Sequence, residues 1–272
     1  DIPTAETCVA CFAWRLPGDM STLLPILFVV GVWWLSTALV LRLVWLPRRT
    51  HRWSIGIASV LGLAGLVATF ALRNDDSSLG ACLGFLSGIA LWGWHELTFL
   101  LGRVTGPRRG PSPPGLEGWA RFRAATEVVI HHELALAATM AAVVALSWKA
   151  SNQVAAWTFA VLWVMRLSAK FNVFLGVRNL SQDFVPPQLQ YLTSYFRVSR
   201  LNPLMPFSLG IASVVAVFLF TAVTPNSDGE ATGLVLSASL LTLAIVEHLF
   251  LTVPVPDARL WRWAIPKTSG DY

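Results

Sequence analysis

The sequence has 272 residues, of which 55% are hydrophobic and 13% are charged, and its mean hydropathy is +0.60. Soluble domains carry about 25% charged residues, so this composition excludes an ordinary soluble protein and indicates an integral membrane protein. The net charge of +5 does not indicate a nucleic-acid partner, because the basic residues lie in short connections between apolar segments.

Seven segments are long and apolar enough to cross a bilayer as helices, since a span needs roughly 20 residues. The sequence therefore predicts an all-α membrane protein with about seven transmembrane helices. The predicted spans are residues 23–46, 53–72, 79–102, 123–148, 154–175, 207–224 and 231–253. They belong to a single predicted transmembrane domain of residues 23–265, and residues 266–272 form a tail.

The charges of the connections alternate along the chain. The first, third and fifth connections and the C-terminal segment are rich in arginine, whereas the other three carry few positive charges. Because positive residues are retained on the cytoplasmic side, the pattern predicts an outside N-terminus and a cytoplasmic C-terminus. Two cytoplasmic connections are long, residues 103–122 and 176–206. We expect an exposed, semi-rigid linker at residues 105–118 and a short amphipathic surface helix at residues 188–198.

The first 22 residues form a separate extramembrane tail in this prediction. They lack the charged and apolar regions of a signal peptide, and Met20 stands directly before the first apolar segment. We therefore expect Met20 to be the natural start, with an upstream extension before it. Cys8 and Cys11 in this tail do not predict a zinc site, because no second pair of ligands follows nearby.

Ionisable residues inside the predicted spans are the main indication of function, because burying each one in a membrane costs about 2.5–3.5 kcal/mol. The third, fourth and seventh spans all carry such residues about 6–12 Å inside the cytoplasmic boundary, at 1.5 Å per residue. This predicts one buried layer of His and Glu side chains. Its members are His95, Glu96, Glu127, His131, His132, Glu133, Glu247 and His248.

Helix geometry limits which members of this layer can face one site. Glu127 and His131 are four residues apart, so they share a helix face, and we expect them to be the best-oriented pair. His132 and Glu133 are turned away from His131 by about 100° and 200°. Both therefore point towards other helices or lipid headgroups in this interpretation.

Three chemistries suit such a layer. A di-iron or other metal centre is built from carboxylates and imidazoles of facing helices, with Glu96, Glu127, His131, Glu133, Glu247 and His248 as the predicted ligands. A tetrapyrrole such as bacteriochlorophyll takes a neutral imidazole as axial ligand, which points to His95, His131, His132 and His248. A proton path also uses chains of Glu and His.

The alternative to a site is interhelical pairing, because polar residues also hold membrane helices together. Arg123 lies four residues before Glu127, and Arg166 and Lys170 can pair with Glu96, Glu133 or Glu247. The number of histidines favours a site, since pairing needs no imidazole.

Several long motifs resemble those of the PuhE family, the photosynthetic-complex assembly proteins of anoxygenic phototrophic bacteria. The motifs are WHELTFLLG at 94–102, HHE at 131–133, KFNVFLGVRNL at 170–180, SRLNPLMP at 199–206 and EHLFL at 247–251. The resemblance covers nearly the whole chain from the first predicted span onward. It implies a multi-pass protein of the bacterial inner membrane, cytoplasmic or intracytoplasmic, encoded alongside reaction-centre genes. It implies no catalytic residue.

The resemblance and the buried layer together lead to three functional hypotheses. In the first, the protein is an assembly factor for the reaction centre and light-harvesting complexes that binds bacteriochlorophyll, a precursor or a pigment-protein subunit through the layer. In the second, it is a membrane di-iron oxidoreductase acting on a bacteriochlorophyll intermediate. In the third, it is a non-catalytic scaffold. Membrane lipids and photosynthetic subunits are the expected partners in each, and no nucleic acid is expected.

Overall fold

The computed structural model of the chain describes residues 20–180, 185–199, 202–222, 227–253 and 263. Within these ranges the protein is all-helical, as predicted. Its α-helices are α1 Met20–Val44, α2 His51–Ala71, α3 Ser78–Leu100, α4 Gly118–Leu146, α5 Val154–Leu175, α6 Leu204–Thr221 and α7 Asp228–Phe250. Two 3₁₀ helices lie between them, Arg48–Thr50 and Pro187–Tyr195. The tail with Cys8 and Cys11, the residues before Met20 and residues 266–272 lie outside the described ranges.

Six of these helices, all except α3, are long and apolar enough to cross a membrane. Each predicted span coincides with one helix, and α3 has 23 residues, a length that also suffices for a span. Its hydropathy is lower because it carries four glycines, two tryptophans and the pair His95-Glu96. Most of these residues are buried against other helices.

The odd-numbered helices form the centre of the bundle. Helix α3 packs against α1, α5 and α7, and α2, α4 and α6 lie around this group. The largest core cluster joins the four central helices through Val29, Phe85, Val154 and Leu236. Close approach of α3 and α5 requires Gly88, because a Cβ there would lie 2.8 Å from the Thr158 side chain.

The two ends of the bundle differ in charge. The connections after α1, α3 and α5 lie at one end, called here the arginine end, and carry Arg48, Arg103 and Arg178. At the opposite end, the connection between α2 and α3 accepts backbone hydrogen bonds from the starts of two other helices. Asn152 N, directly before α5, donates to Arg73 O at 2.9 Å, and Gly229 N of α7 donates to Asp76 O at 2.8 Å. This short connection therefore fixes three of the four central helices relative to one another.

The segment between α3 and α4 is only partly the exposed linker that the sequence predicts. Thr105 and Gly106 are buried, and the chain lies against the backbone of α4. The His132 N–H donates to Thr105 O at 2.9 Å, and the Arg108 N–H donates to Glu127 O at 3.3 Å. The prediction is wrong here because a carbonyl and an N–H of the loop bond directly to the helix. Helix α4 also begins at Gly118, before the predicted start of the span.

The connection between α5 and α6 contains a helical element where one is predicted. It is the 3₁₀ helix Pro187–Tyr195, and Pro187 occupies its first turn. Leu189 and Tyr195 are buried, and Tyr195 packs on Ala124 and Val128 of α4. Its buried apolar side chains therefore contact the protein.

Candidate functional site

Ionisable side chains of α3, α4 and α5, most of them buried or half-buried, meet in one cluster near the arginine end. Helix α3 contributes His95 and Glu96, α4 contributes His132 and Glu133, and α5 contributes Arg166 and Lys170. We call these six residues the central cluster. Opposite charges from different helices alternate within it, which offsets part of the cost of burying each charge.

Glu96 joins α3 to α5 and lies near His132 of α4. Its Oε2 accepts a hydrogen bond from Arg166 Nη2 at 3.1 Å. Its Oε1 lies 4.0 Å from His132 Nε2, which is too long for a hydrogen bond. The Glu96 side chain is 11% exposed and that of Arg166 is 42% exposed. The carboxylate therefore lies inside the bundle while the guanidinium reaches its surface.

Glu133 forms the second ion pair of the central cluster. Lys170 Nζ donates to its Oε1, and Trp163 Nε1 donates to its Oε2 at 3.1 Å. Both donors lie on α5, seven residues apart, so they present one face of that helix to α4. The Lys170 ammonium also lies 5.2 Å from the centre of the Phe99 ring. This pair fixes α4 against α5.

The two histidines of the central cluster keep unused ring nitrogens. His95 Nε2 is hydrogen-bonded to Thr139 Oγ1 at 2.8 Å. Its Nδ1, both nitrogens of His132 and Glu96 Oε1 are buried and have no hydrogen-bond partner among the described residues. The His95 and His132 rings are 6.2 Å apart, and His132 is 0% exposed under the Phe99 ring at 4.5 Å. These four atoms are the unpaired polar groups of the site.

The histidine and glutamate of α7 are placed differently from each other. His248 is buried, its Nδ1 donates to Ala244 O at 2.9 Å, and its Nε2 lies 3.1 Å from Ser168 Oγ. Both ring nitrogens are therefore engaged. Glu247 accepts a hydrogen bond from Trp33 Nε1 at 3.0 Å and interacts electrostatically with Arg166 and Glu96. Glu247 is exposed, contrary to the predicted buried layer, and lies at the edge of the central cluster beside α1.

The prediction that Glu127 and His131 are the best-oriented pair is wrong. His131 is exposed. Arg108 of the preceding loop donates two hydrogen bonds to Glu127 Oε2, at 2.8 and 2.9 Å, and Arg123 lies 3.7 Å from Oε1. These hydrogen bonds raise the pKa of the Arg108 guanidinium above its ordinary value. The face of α4 that turns inward carries His132, so the predicted assignment of faces is reversed.

The arrangement fits a metal centre poorly. Across the described ranges, no group of three or more His, Cys, Asp and Glu side chains is arranged to hold a metal ion. The carboxylates predicted as ligands are each bound to a donor of the protein: Glu96 to Arg166, Glu127 to Arg108, Glu133 to Lys170 and Glu247 to Trp33. A cation in their place would have to displace these donors, so the donor set favours pairing between helices.

A tetrapyrrole ligand meets a different obstacle. His132 has both nitrogens available, but it is fully buried and its ring packs against Phe99. A macrocycle that approached either nitrogen would have to separate α3 from α4.

The sequence alone did not identify the groups that complete this arrangement, Trp33, Trp163, Thr139 and Arg108. Indole N–H and hydroxyl groups carry no charge pattern that would distinguish them from ordinary membrane residues.

Comparison with known proteins gives two matches. Residues 20–271 match the family described as Protein of unknown function (DUF3623). The chain is 36% identical over 251 residues to a Rhodobacter capsulatus protein described as an uncharacterized 30.4 kDa protein in the puhA 5′ region. The alignment covers 89% of this chain and 90% of that relative. No solved structure matches. By the extent of the family match, the chain is a member of the DUF3623 family.

Proposed function

We propose that this protein is an assembly factor for photosynthetic complexes in the inner membrane of a phototrophic bacterium, with reaction-centre or light-harvesting subunits as partners. The observation that carries the proposal is the relative in the puhA photosynthesis gene region, similar over nearly its whole length. The all-helical, multi-pass architecture supports it, because the subunits of such complexes also lie in the membrane.

The geometry favours docking of a protein subunit over storage of free pigment. The carboxylates of the central cluster are bound by its own cations, and His132 lies beneath other side chains. In this interpretation the cluster fixes α3, α4 and α5 so that the outer surface keeps one shape for its partner. Binding of bacteriochlorophyll or a precursor at His132 is the alternative, and the di-iron oxidoreductase is less favoured because donors of the protein already bind its carboxylates.

A gene deletion with complementation tests this function. In a phototrophic host, loss of the gene is expected to reduce the near-infrared absorbance of the reaction centre and antenna in isolated membranes, and the wild-type gene to restore it. Unchanged levels of both complexes in the deletion strain would contradict the proposal.

Complementation with His132→Phe distinguishes docking from pigment binding. Because the His132 nitrogens make no hydrogen bond, the variant is expected to accumulate normally, as an immunoblot of a tagged protein would show, and to restore both complexes. Normal accumulation without restoration would favour an imidazole ligand. Iron bound to the purified wild-type protein and lost in Glu133→Gln would favour the oxidoreductase.

We further propose that all seven helices span the membrane, with the arginine end in the cytoplasm. The distribution of Arg48, Arg103 and Arg178 supports this orientation. Alkaline phosphatase fused after Asp76 or Ala150 is then expected to be active, and the same enzyme fused after Gly110 inactive. Equal activity after Asp76 and Gly110 would mean that α3 does not cross the bilayer.

A further inference from the structure

Helices α4 and α5 meet at the arginine end in a joint that extends beyond the bilayer core. Helix α4 has 29 residues and is therefore about 43 Å long at 1.5 Å per residue, whereas the hydrocarbon core is about 30 Å thick. Its first two turns, which begin at Gly118, carry Arg121 and Arg123, and these charges place this end of the helix at the level of the lipid headgroups. The side chains of these turns contact the last turn of α5.

Aromatic rings form a continuous ladder across this joint. Trp119 stacks on Phe122 at 5.1 Å, and Phe122 lies nearly parallel to Phe171 at 6.4 Å and edge-on to Phe174 at 5.8 Å. Trp119 is 74% exposed and Phe171 is 39% exposed. Exposed aromatic side chains are typical of the membrane–water interface, so these exposed rings suit contact with lipid.

Two arginines lie beside the ladder without a carboxylate partner. Arg121 Nη2 donates to Phe174 O and Tyr195 O, both at 2.9 Å, and its guanidinium lies 4.0 Å from the Phe174 ring. Arg197 is exposed, its backbone N–H donates to Val173 O at 3.2 Å, and its charge is close enough to repel that of Arg121.

Neither arginine forms an ion pair within the part of the chain that the structure describes. Glu127, at the same end, is held by Arg108 and Arg123. Glu117 lies one turn before Arg121, and no ion pair joins them. Among the described residues, these two neighbouring cations therefore have no carboxylate partner, and they lie beside an apolar surface.

We propose that Arg121, Arg197, Trp119, Phe122 and Phe171, called here the aromatic–arginine patch, bind an anionic phospholipid. The phosphate group would lie between the two guanidinium groups, which suit phosphate oxygens. The acyl chains would follow Phe122 and Phe171 along α4 and α5. Basic pockets between transmembrane helices recognise lipid headgroups in this way. The inference is independent of the proposed function, because it rests on this joint alone.

Native mass spectrometry of the purified full-length protein tests the inference. With phosphatidylglycerol, one retained lipid per chain is expected, and with phosphatidylcholine at the same concentration much less. Arg197→Gln is expected to weaken retention of phosphatidylglycerol about fivefold, whereas Arg197→Lys keeps the charge and most of the binding. Arg197 is the suitable position because its side chain is exposed, whereas Arg121 holds two backbone carbonyls.

The matched control is Arg49→Gln, an exposed arginine at the same end but outside the patch. It is expected to leave retention unchanged. Equal retention of the two lipids, or equal losses in Arg197→Gln and Arg49→Gln, would overturn the inference and leave only a general attraction between the arginine end and anionic membranes. Displacement of the lipid by millimolar inorganic phosphate would identify a free anion as the ligand instead.

Discussion

Replacing Lys170 by Met is expected to lower the free energy of unfolding by about 3–5 kcal/mol, because it leaves the Glu133 carboxylate buried without its counter-charge. Glu133 is 16% exposed and Lys170 23% exposed, so water reaches neither group freely. In the variant only Trp163 would remain as a donor to Glu133. The measurement is unfolding by sodium dodecyl sulfate in mixed micelles, followed by tryptophan fluorescence.

The double variant Lys170→Met with Glu133→Gln serves as the control for this prediction. It removes both charges and retains a side-chain oxygen for Trp163, so it is expected to recover most of the lost stability. Lys149→Met removes an exposed lysine at the opposite end and is expected to change little. If the double variant were as unstable as Lys170→Met alone, the loss would come from packing and the ion pair would not be the cause.

Replacing Gly106 by Ala is expected to lower the stability of the protein more than adding a methyl group at any other position of the loop between α3 and α4. A Cβ at this position would lie 2.1 Å from Glu127 O, 2.6 Å from Val128 C and 2.7 Å from Val128 O. These are backbone atoms of a helix and cannot move as a flexible side chain would. The loop must therefore leave α4, which breaks the bonds from His132 N to Thr105 O and from Arg108 N to Glu127 O.

The expected cost of Gly106→Ala is about 3 kcal/mol, the upper part of the range for overpacked sites. The thermal midpoint of the purified protein in detergent measures it. Gly110→Ala in the same loop is the matched control, because nothing lies within 4 Å of its added Cβ, and its midpoint is expected to match that of the wild type. A normal midpoint for Gly106→Ala would mean that the loop does not lie against α4 in the native protein.

The positions of the helices could be predicted because a bilayer requires apolar segments of a set length. Which side of each helix is buried could not be predicted in the same way. Lipid and the protein interior are both apolar, so an apolar side chain carries no information about which side of its helix is buried. Helix α4 illustrates this, since Glu127 and His131 share a face as their spacing predicts, and yet the neighbouring His132 is the buried histidine.

The ion pairs show a second limit. The sequence predicts that Arg166 and Lys170 can pair with the buried carboxylates, and the structure pairs them with Glu96 and Glu133. Glu127 is also bound by Arg108, which lies nineteen residues earlier in a Pro- and Gly-rich segment. The approach of Arg108 depends on the close packing of Gly106 against the backbone of α4, a contact that neither hydropathy nor helical periodicity reports.

The central group of odd-numbered helices has a consequence for synthesis. Helix α1 contacts α2, its neighbour in sequence, less extensively than it contacts α7. Val29 packs in one cluster with Leu236 and Leu240, and Trp33 donates to Glu247. The ribosome adds roughly 5–20 residues per second, so α1 resides in the membrane for on the order of ten seconds or more before α7 is made. During that interval its inner face is covered by lipid or by an insertion factor, and ribosome stalling before Asp228 would leave the nascent chain without its native core.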